Sequence, residues 1–129
     1  MGFQIERIDH IVLTVADIER SCAFYEKALG MVREVFGDDR VALRFGNQKI
    51  NLHLVGQEQE PKAAVAGPGT GDLCLITTAA PQDVVTHLGS CGIEILEGPV
   101  PRTGAIGPIM SVYFRDPDCN LIEVSKYET

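Results

Sequence analysis

Residues 8–15, Ile8 to Val15, read I-D-H-I-V-L-T-V, and a helical stretch that closes on Leu29-Gly30-Met31 follows them. The same plan recurs at Gly71 to Thr77, G-D-L-C-L-I-T, whose helical stretch closes on Cys91-Gly92-Ile93. Gly30 and Gly92 stand at the same offset from His10 and Asp72, and each half ends on an Ile-polar-apolar strand, Ile50-Asn51-Leu52 and Ile122-Glu123-Val124. Four polar positions, His10, Asn51, Asp72 and Glu123, are thereby related by duplication. Polar groups offered by two copies of one module to a common seam make a small-molecule or metal site, and such a site is expected here.

The remaining elements follow from periodicity. In the first strand Ile11, Leu13 and Val15 share one face and His10, Val12 and Thr14 the other. Asp17 is placed to cap a helix reaching Leu29, with Ile18, Cys22, Tyr25 and Leu29 at helical spacing and Gly30 as its stop. Met31 to Phe36 reads as a strand. Val41 to Phe45 and Gln48 to Val55 read as a hairpin about Gly46-Asn47, which sets Leu43 opposite Ile50 and Ala42 opposite Asn51 and puts His53 on the Asn51 face. Gly56 to Thr70 has Pro, Gly and charge without periodicity and reads as a connection. The second copy follows with strand 71–77, a helix from about Pro81 to Cys91, strand 93–98 and a Gly/Pro-rich loop from Gly98 to Pro108. It ends in strands Ile109 to Arg115 and Leu121 to Lys126, whose turn sets Tyr113 across from Glu123. Strand, helix and three strands, twice over, predict one α+β domain with module 1 at about 6–55, a linker at 56–70 and module 2 at about 71–127.

Composition narrows the function. The 129 residues, 45% apolar, suffice for one domain with a real core. A formal charge of -7 with no basic run argues against a nucleic-acid partner. No apolar stretch approaches the roughly 20 residues of a membrane span, and Met1 to Glu6 lacks a signal-peptide pattern, so a cytoplasmic protein is expected. Cys22, Cys74, Cys91 and Cys119 show no C-x-x-C spacing and read as reduced, structural thiols.

The opening I-D-H-I-V-L-T-V-A-D-I-E-R-S-C-A-F-Y-E-K-A-L-G-M and the closing F-R-D-P-D-C-N-L-I-E-V resemble the first strand and helix and the last hairpin of the vicinal oxygen chelate superfamily. That superfamily includes glyoxalase I, fosfomycin-resistance proteins, extradiol dioxygenases and bleomycin-binding proteins. Q-K-I-N-L-H, G-D-L-C-L-I-T and P-V-P-R-T-G-A-I-G-P-I-M-S-V-Y-F-R-D-P-D look like its subgroup called glyoxalase domain-containing protein 5. The resemblance covers residues 6 to 127 and implies two tandem βαβββ modules whose eight strands form a cupped sheet with helices on the convex side. It further implies one divalent metal ion per chain, Mn, Fe, Ni or Mg, bound by residues of the first and last strands of each module. Carried over, the ligand positions are His10, Asn51, Asp72 and Glu123. His10 and Glu123 match. Asp72 stands where His is common and Asn51 where glyoxalase I has Glu. Tyr113 matches a substrate-facing tyrosine of fosfomycin-resistance proteins, and a homodimer is expected, since relatives cover their edge strands by pairing.

Each position also has a plainer reading. His10 alone would pass for a hydrogen-bonded strand residue, Asp72 for the end of a loop, and Asn51 for a structural amide. Glu123, between Ile122 and Val124, needs a cation, a proton or a solvated cleft. His53 is open to a ligand, substrate or acid–base role. The assignment favoured is metal to His10, Asp72 and Glu123; catalysis to Glu123 and Tyr113; and substrate to His53, Asn51, Arg102 and Tyr113, with the Gly98 to Pro108 loop and Arg102 as lid or anion clamp. The expected function is a glyoxalase-like metal-dependent lyase or isomerase acting on a small substrate with vicinal oxygens. The alternatives are a ring-cleaving iron dioxygenase and a non-catalytic sequestering protein of the bleomycin-resistance type.

Overall fold

The opening strand is only as long as its partner allows. In the computed structural model, which describes residues 2–128, the apolar run that begins at Ile8 enters the sheet at His10, because the strand beside it begins at Gln48. The Gln48 side-chain amide takes the Ile8 carbonyl at 2.7 Å in place of a ladder bond. The elements run β1 (His10–Val15), α1 (Ile18–Leu29), β2 (Val32–Phe36), β3 (Arg40–Phe45), β4 (Gln48–Leu54), β5 (Asp72–Ile76), α2 (Pro81–Ser90), β6 (Glu97–Thr103), β7 (Pro108–Arg115) and β8 (Leu121–Tyr127). Strand, helix and three strands thus occur twice, and the strands pair as two four-stranded sheets, β1-β4-β3-β2 and β5-β8-β7-β6. The chain divides into two compact units, Met1–Gly67 and Pro68–Thr129.

In the first unit Asp17 caps α1 by accepting the Arg20 N–H at 2.9 Å, and Gly30 ends it in the left-handed region at φ 67. The helix packs on β2, β3 and β4. Cys22, Tyr25 and Ala28 of α1 are buried, as are Leu13, Val15, Leu43, Ile50 and Leu52 of the sheet. Strand alternation therefore leaves Thr14, Ala42, Asn51 and His53 on the other face. The hairpin register is the one the two-residue turn predicts, Leu43 with Ile50 and Ala42 with Asn51.

The second unit repeats this with α2 on β6, β7 and β8. Leu88, Val112, Phe114, Ile122 and Val124 are its buried apolar residues on the helix side. One expectation is corrected here. The segment expected as a strand at 93–98 is irregular up to Leu96, and the loop expected at Gly98 to Pro108 begins as strand: β6 occupies Glu97–Thr103 and only 104–107 remain loop. Two prolines made this run look loop-like, yet β6 is an edge strand with one partner, where a missing N–H costs little. Gly98, at φ 117, lets β6 approach β7 closely, since a Cβ there would lie 2.3 Å from the Ser111 carbonyl oxygen.

The β7–β8 register hangs on one turn. Asp116 Oδ1 accepts the N–H groups of Asp118 and Asn120, both at 2.9 Å, and Asp116 Oδ2 accepts the Asn120 amide at 2.8 Å. Asn120 Oδ1 accepts the Gly71 N–H at 2.7 Å, so the same side chain anchors the entry to β5. Asn120 is almost wholly buried. Asn120→Ala should therefore cost about 2 kcal/mol or more, because it removes a buried amide–carboxylate hydrogen bond and the acceptor of the Gly71 N–H together; urea unfolding followed by circular dichroism measures it.

Candidate functional site

In the second unit the helix-free face of the sheet is polar, an unusual use of a central strand. Glu123 on β8 lies across from Tyr113 on β7 and from Cys74 on β5, and Ser111 lies across from Ser125. Ser111 and Ser125 are wholly buried and their hydroxyls are 2.7 Å apart. Both donate to Glu123 Oε2, Ser111 at 2.6 Å and Ser125 at 3.3 Å, and Cys74 Sγ meets the Ser125 hydroxyl at 3.3 Å. On the other side, the Tyr113 hydroxyl accepts from Arg102 Nε at 3.1 Å, and Tyr113 stands directly across from Glu123 in the strand register. Arg102 then reaches Glu97 at 3.1 Å. Two hydrogen-bonded groups thus meet at the Tyr113–Glu123 pair, Glu97–Arg102–Tyr113 on one side and Glu123–Ser111–Ser125–Cys74 on the other. Among the described residues Glu123 forms no ion pair. Burial raises the Tyr113 hydroxyl pKa; Arg102 opposes the rise and Glu123 adds to it. Burial also raises the Cys74 thiol, which disfavours a thiolate.

In the first unit His10 opens β1, and its Nδ1 lies 2.9 Å from Asp9 Oδ2. Asn51 sits mid-face on β4 between Val12 and Ala42. Its Oδ1 and the Nε2 of His53 are buried with no hydrogen-bond partner. Two cations meet on one ring of this face: Lys49 Nζ lies 3.6 Å and Arg40 Cζ 4.8 Å from the Phe36 centroid.

The parallel pairing has the same offset in both units. His10 pairs with Lys49 and Asn51 with Val12; Asp72 pairs with Leu121 and Glu123 with Cys74. The duplication read from sequence is thus a duplication of register. The structure brings Glu123, Tyr113 and Arg102 together and sets Asn51 and His53 on one face. Arg102 lies on a strand and not on a loop, and its guanidinium meets Tyr113 and Glu97. His10 and Asp72 are exposed. Among the described residues no group of three or more His, Cys, Asp or Glu side chains is gathered that would hold a metal ion. Sequence reasoning missed Ser111, Ser125 and Asp9. Ser111 and Ser125 stand two residues from Tyr113 and Glu123, so the alternation that found those two also pointed at the serines.

Comparison with known proteins agrees with this architecture. Residues 7–124 match the family described as Glyoxalase/Bleomycin resistance protein/Dioxygenase superfamily. The chain is 56% identical over 123 residues to the virulence protein STM3117 of Salmonella typhimurium, covering 95% of this chain and 85% of that one. It is 51% identical over 124 residues to the glyoxalase domain-containing protein RDO1 of Mycosarcoma maydis, covering 96% of this chain and 70% of that one. Among solved structures, an integron cassette protein from the mobile metagenome of V. cholerae superposes with a TM-score of 0.96 at 55% identity, over 99% of this chain and all of that one.

The pKa of His53 is lowered from its ordinary 6.5, first by burial and then by Arg40, with Glu58 opposing. The unfolded chain therefore takes up this proton at a higher pH than the folded one, and stability falls as pH drops from above 6.5 toward the lowered folded value. Urea unfolding of wild type and His53→Gln across that window should show this loss in wild type and a smaller one in the variant.

Proposed function

Since the chain belongs to the Glyoxalase/Bleomycin resistance protein/Dioxygenase superfamily, we propose that it is a glyoxalase-like enzyme acting by lyase or isomerase chemistry on a small substrate with two neighbouring oxygens. The observation that carries this reading is the hub at Glu123. A half-buried carboxylate held by two serine hydroxyls, across from a tyrosine, and by no lysine or arginine ion pair among the described residues, is suited to a cation or to a proton in transit.

The donor chemistry fits a hard or borderline divalent ion. Asp9 orients the His10 ring and the serines orient Glu123, the kind of outer support that ligating imidazoles and carboxylates receive. His10, Asp72 and Glu123 would hold the ion, which when bound would supply Lewis-acid stabilisation of oxyanion charge. In the proposed reaction Glu123 accepts a proton from carbon through Oε1, the oxygen that the serines leave free. Tyr113 donates its hydroxyl to a substrate oxygen, and Arg102 fixes that hydroxyl in place. Asn51 and His53 are assigned to substrate binding. We further infer a cytoplasmic protein, whose reducing surroundings suit four free cysteines, and a homodimer, since β1 and β2 flank one sheet and β5 and β6 the other.

Metal titration calorimetry on the purified protein tests the reading. His10→Ala and Glu123→Gln should each abolish most divalent-ion binding, and unchanged affinity in both would overturn the assignment. Asp72→Ala should weaken binding by about tenfold or more, whereas His53→Ala should leave the ion bound and impair substrate binding. The reverse order would make His53 the ligand and favour the two-imidazole chemistry of iron ring-cleaving oxygenases. Light scattering should give twice the 14.0 kDa chain mass, and a 14.0 kDa species alone would rule out the dimer.

A further inference from the structure

On the helix-free face of the first unit, Ala42 and Asn51 are buried although α1 packs on the other side of the sheet. They stand across from each other on β3 and β4, Ala42 0% and Asn51 4% exposed. The register shows which side chains reach over them. Glu34 pairs with Ala42, so Phe36, two residues on, projects from this same face, as does Lys49, two residues before Asn51. Phe36 pairs with Arg40 on one side of Ala42, and Lys49 pairs with Arg44 on the other. Phe36 and Lys49 therefore occupy opposite corners of a patch whose centre is Ala42 and Asn51. Yet Lys49 Nζ lies 3.6 Å from the centroid of the Phe36 ring. The two side chains meet by leaning inward across the patch, over its buried centre. The charge of Lys49 is felt on β2 as well, where the Glu34 carboxyl is held below its ordinary pKa first by Arg44 and further by Lys49.

Beneath this cover Asn51 Oδ1 has no hydrogen-bond partner. An acceptor kept dry and unbonded is costly, and it gains a bond only when a donor can reach it. The cover itself is lightly held. Lys49 is half-buried and forms no ion pair among the described residues, so its contact with the ring is a weak one. Phe36 is the last residue of β2, an edge strand that runs into the turn at 37–39, so its ring can swing outward without disturbing a neighbouring strand.

We propose that Phe36 is a gate over Asn51 and Lys49 its latch: with the two in contact this face is closed, and when the ring leaves Lys49 the Asn51 carboxamide is open to a ligand. The inference rests on the reading that gives Asn51 to the substrate, and it adds what controls access to that residue. The test involves neither metal nor substrate, so its outcome is read apart from that of the proposed function.

The full chain is labelled with iodoacetamide and the sites are quantified by peptide mass mapping, with the thiol introduced by Asn51→Cys as the probe. Exposed Cys119 serves as the reference for an open thiol and buried Cys22 as the reference for unfolding. The introduced thiol should react at least about tenfold more slowly than Cys119, and adding Phe36→Ala should raise its rate by about tenfold or more. Lys49→Met, which keeps the stem and removes the charge, should raise it by about threefold or more. Cys22 should stay unreactive throughout. A probe as fast as Cys119 without a second substitution, or a rate unmoved by both Phe36→Ala and Lys49→Met, would overturn the proposal. So would a rise that Cys22 shares, since that reports unfolding and not a gate. If Asn51→Cys folds poorly, Phe36→Ala alone decides: solvent exchange of the Asn51 side-chain amide protons, followed by NMR, should quicken by about tenfold or more, and an unchanged rate refutes the gate.

Discussion

Each unit depends on the parallel pairing of its first and last strands. β1 on β4 and β5 on β8 cannot be joined by a hairpin, so the intervening helix and two strands must be wrapped into place for the pair to close. Once closed, the pair fixes which side chains stand beside one another: Val12 beside Asn51, Cys74 beside Glu123. The offset is identical in the two units although the residues differ, which explains how one scaffold carries an imidazole and an amide in one copy and two carboxylates in the other. The scaffold preserves positions, and the side chains placed on them set the chemistry.

The two sheet faces answer to different demands. Toward the helices, aliphatic and aromatic side chains are buried and little but volume matters. Away from them, wholly buried hydroxyls at Ser111 and Ser125 are tolerated because their protons go to the Glu123 carboxylate. Such a network loses much if one member is removed, since its neighbours keep their desolvation and lose their bond. Asn51 and His53 mark the contrasting case in the first unit, polar atoms buried without such a network.

The order of elements, the hairpin register at Gly46-Asn47 and the Tyr113–Glu123 pair were legible in the sequence because each follows from strand alternation and turn length. Duplication named His10, Asn51, Asp72 and Glu123 as candidates, while the neighbours of His10 and Glu123 stayed hidden. Ser111 lies in I-M-S-V-Y-F, where a serine reads as an unremarkable strand residue until its cross-strand neighbour is known. Arg40 and Phe36 were invisible for another reason: their contact depends on side-chain direction across a turn, which no periodicity encodes. The error at β6 arose because Pro99 and Pro101 signal a loop wherever a strand is assumed to have two neighbours.

Those prolines have a consequence for the molecule in a crowded solution. An exposed strand edge is a template onto which another chain can add by backbone pairing, the first step toward aggregation. β6 already spends one side on β7, and Pro99 and Pro101 contribute no N–H at all, so an incoming strand would meet a ladder with missing rungs. The sequence feature that disguised β6 as a loop is therefore the one that makes it a poor template for indefinite strand addition.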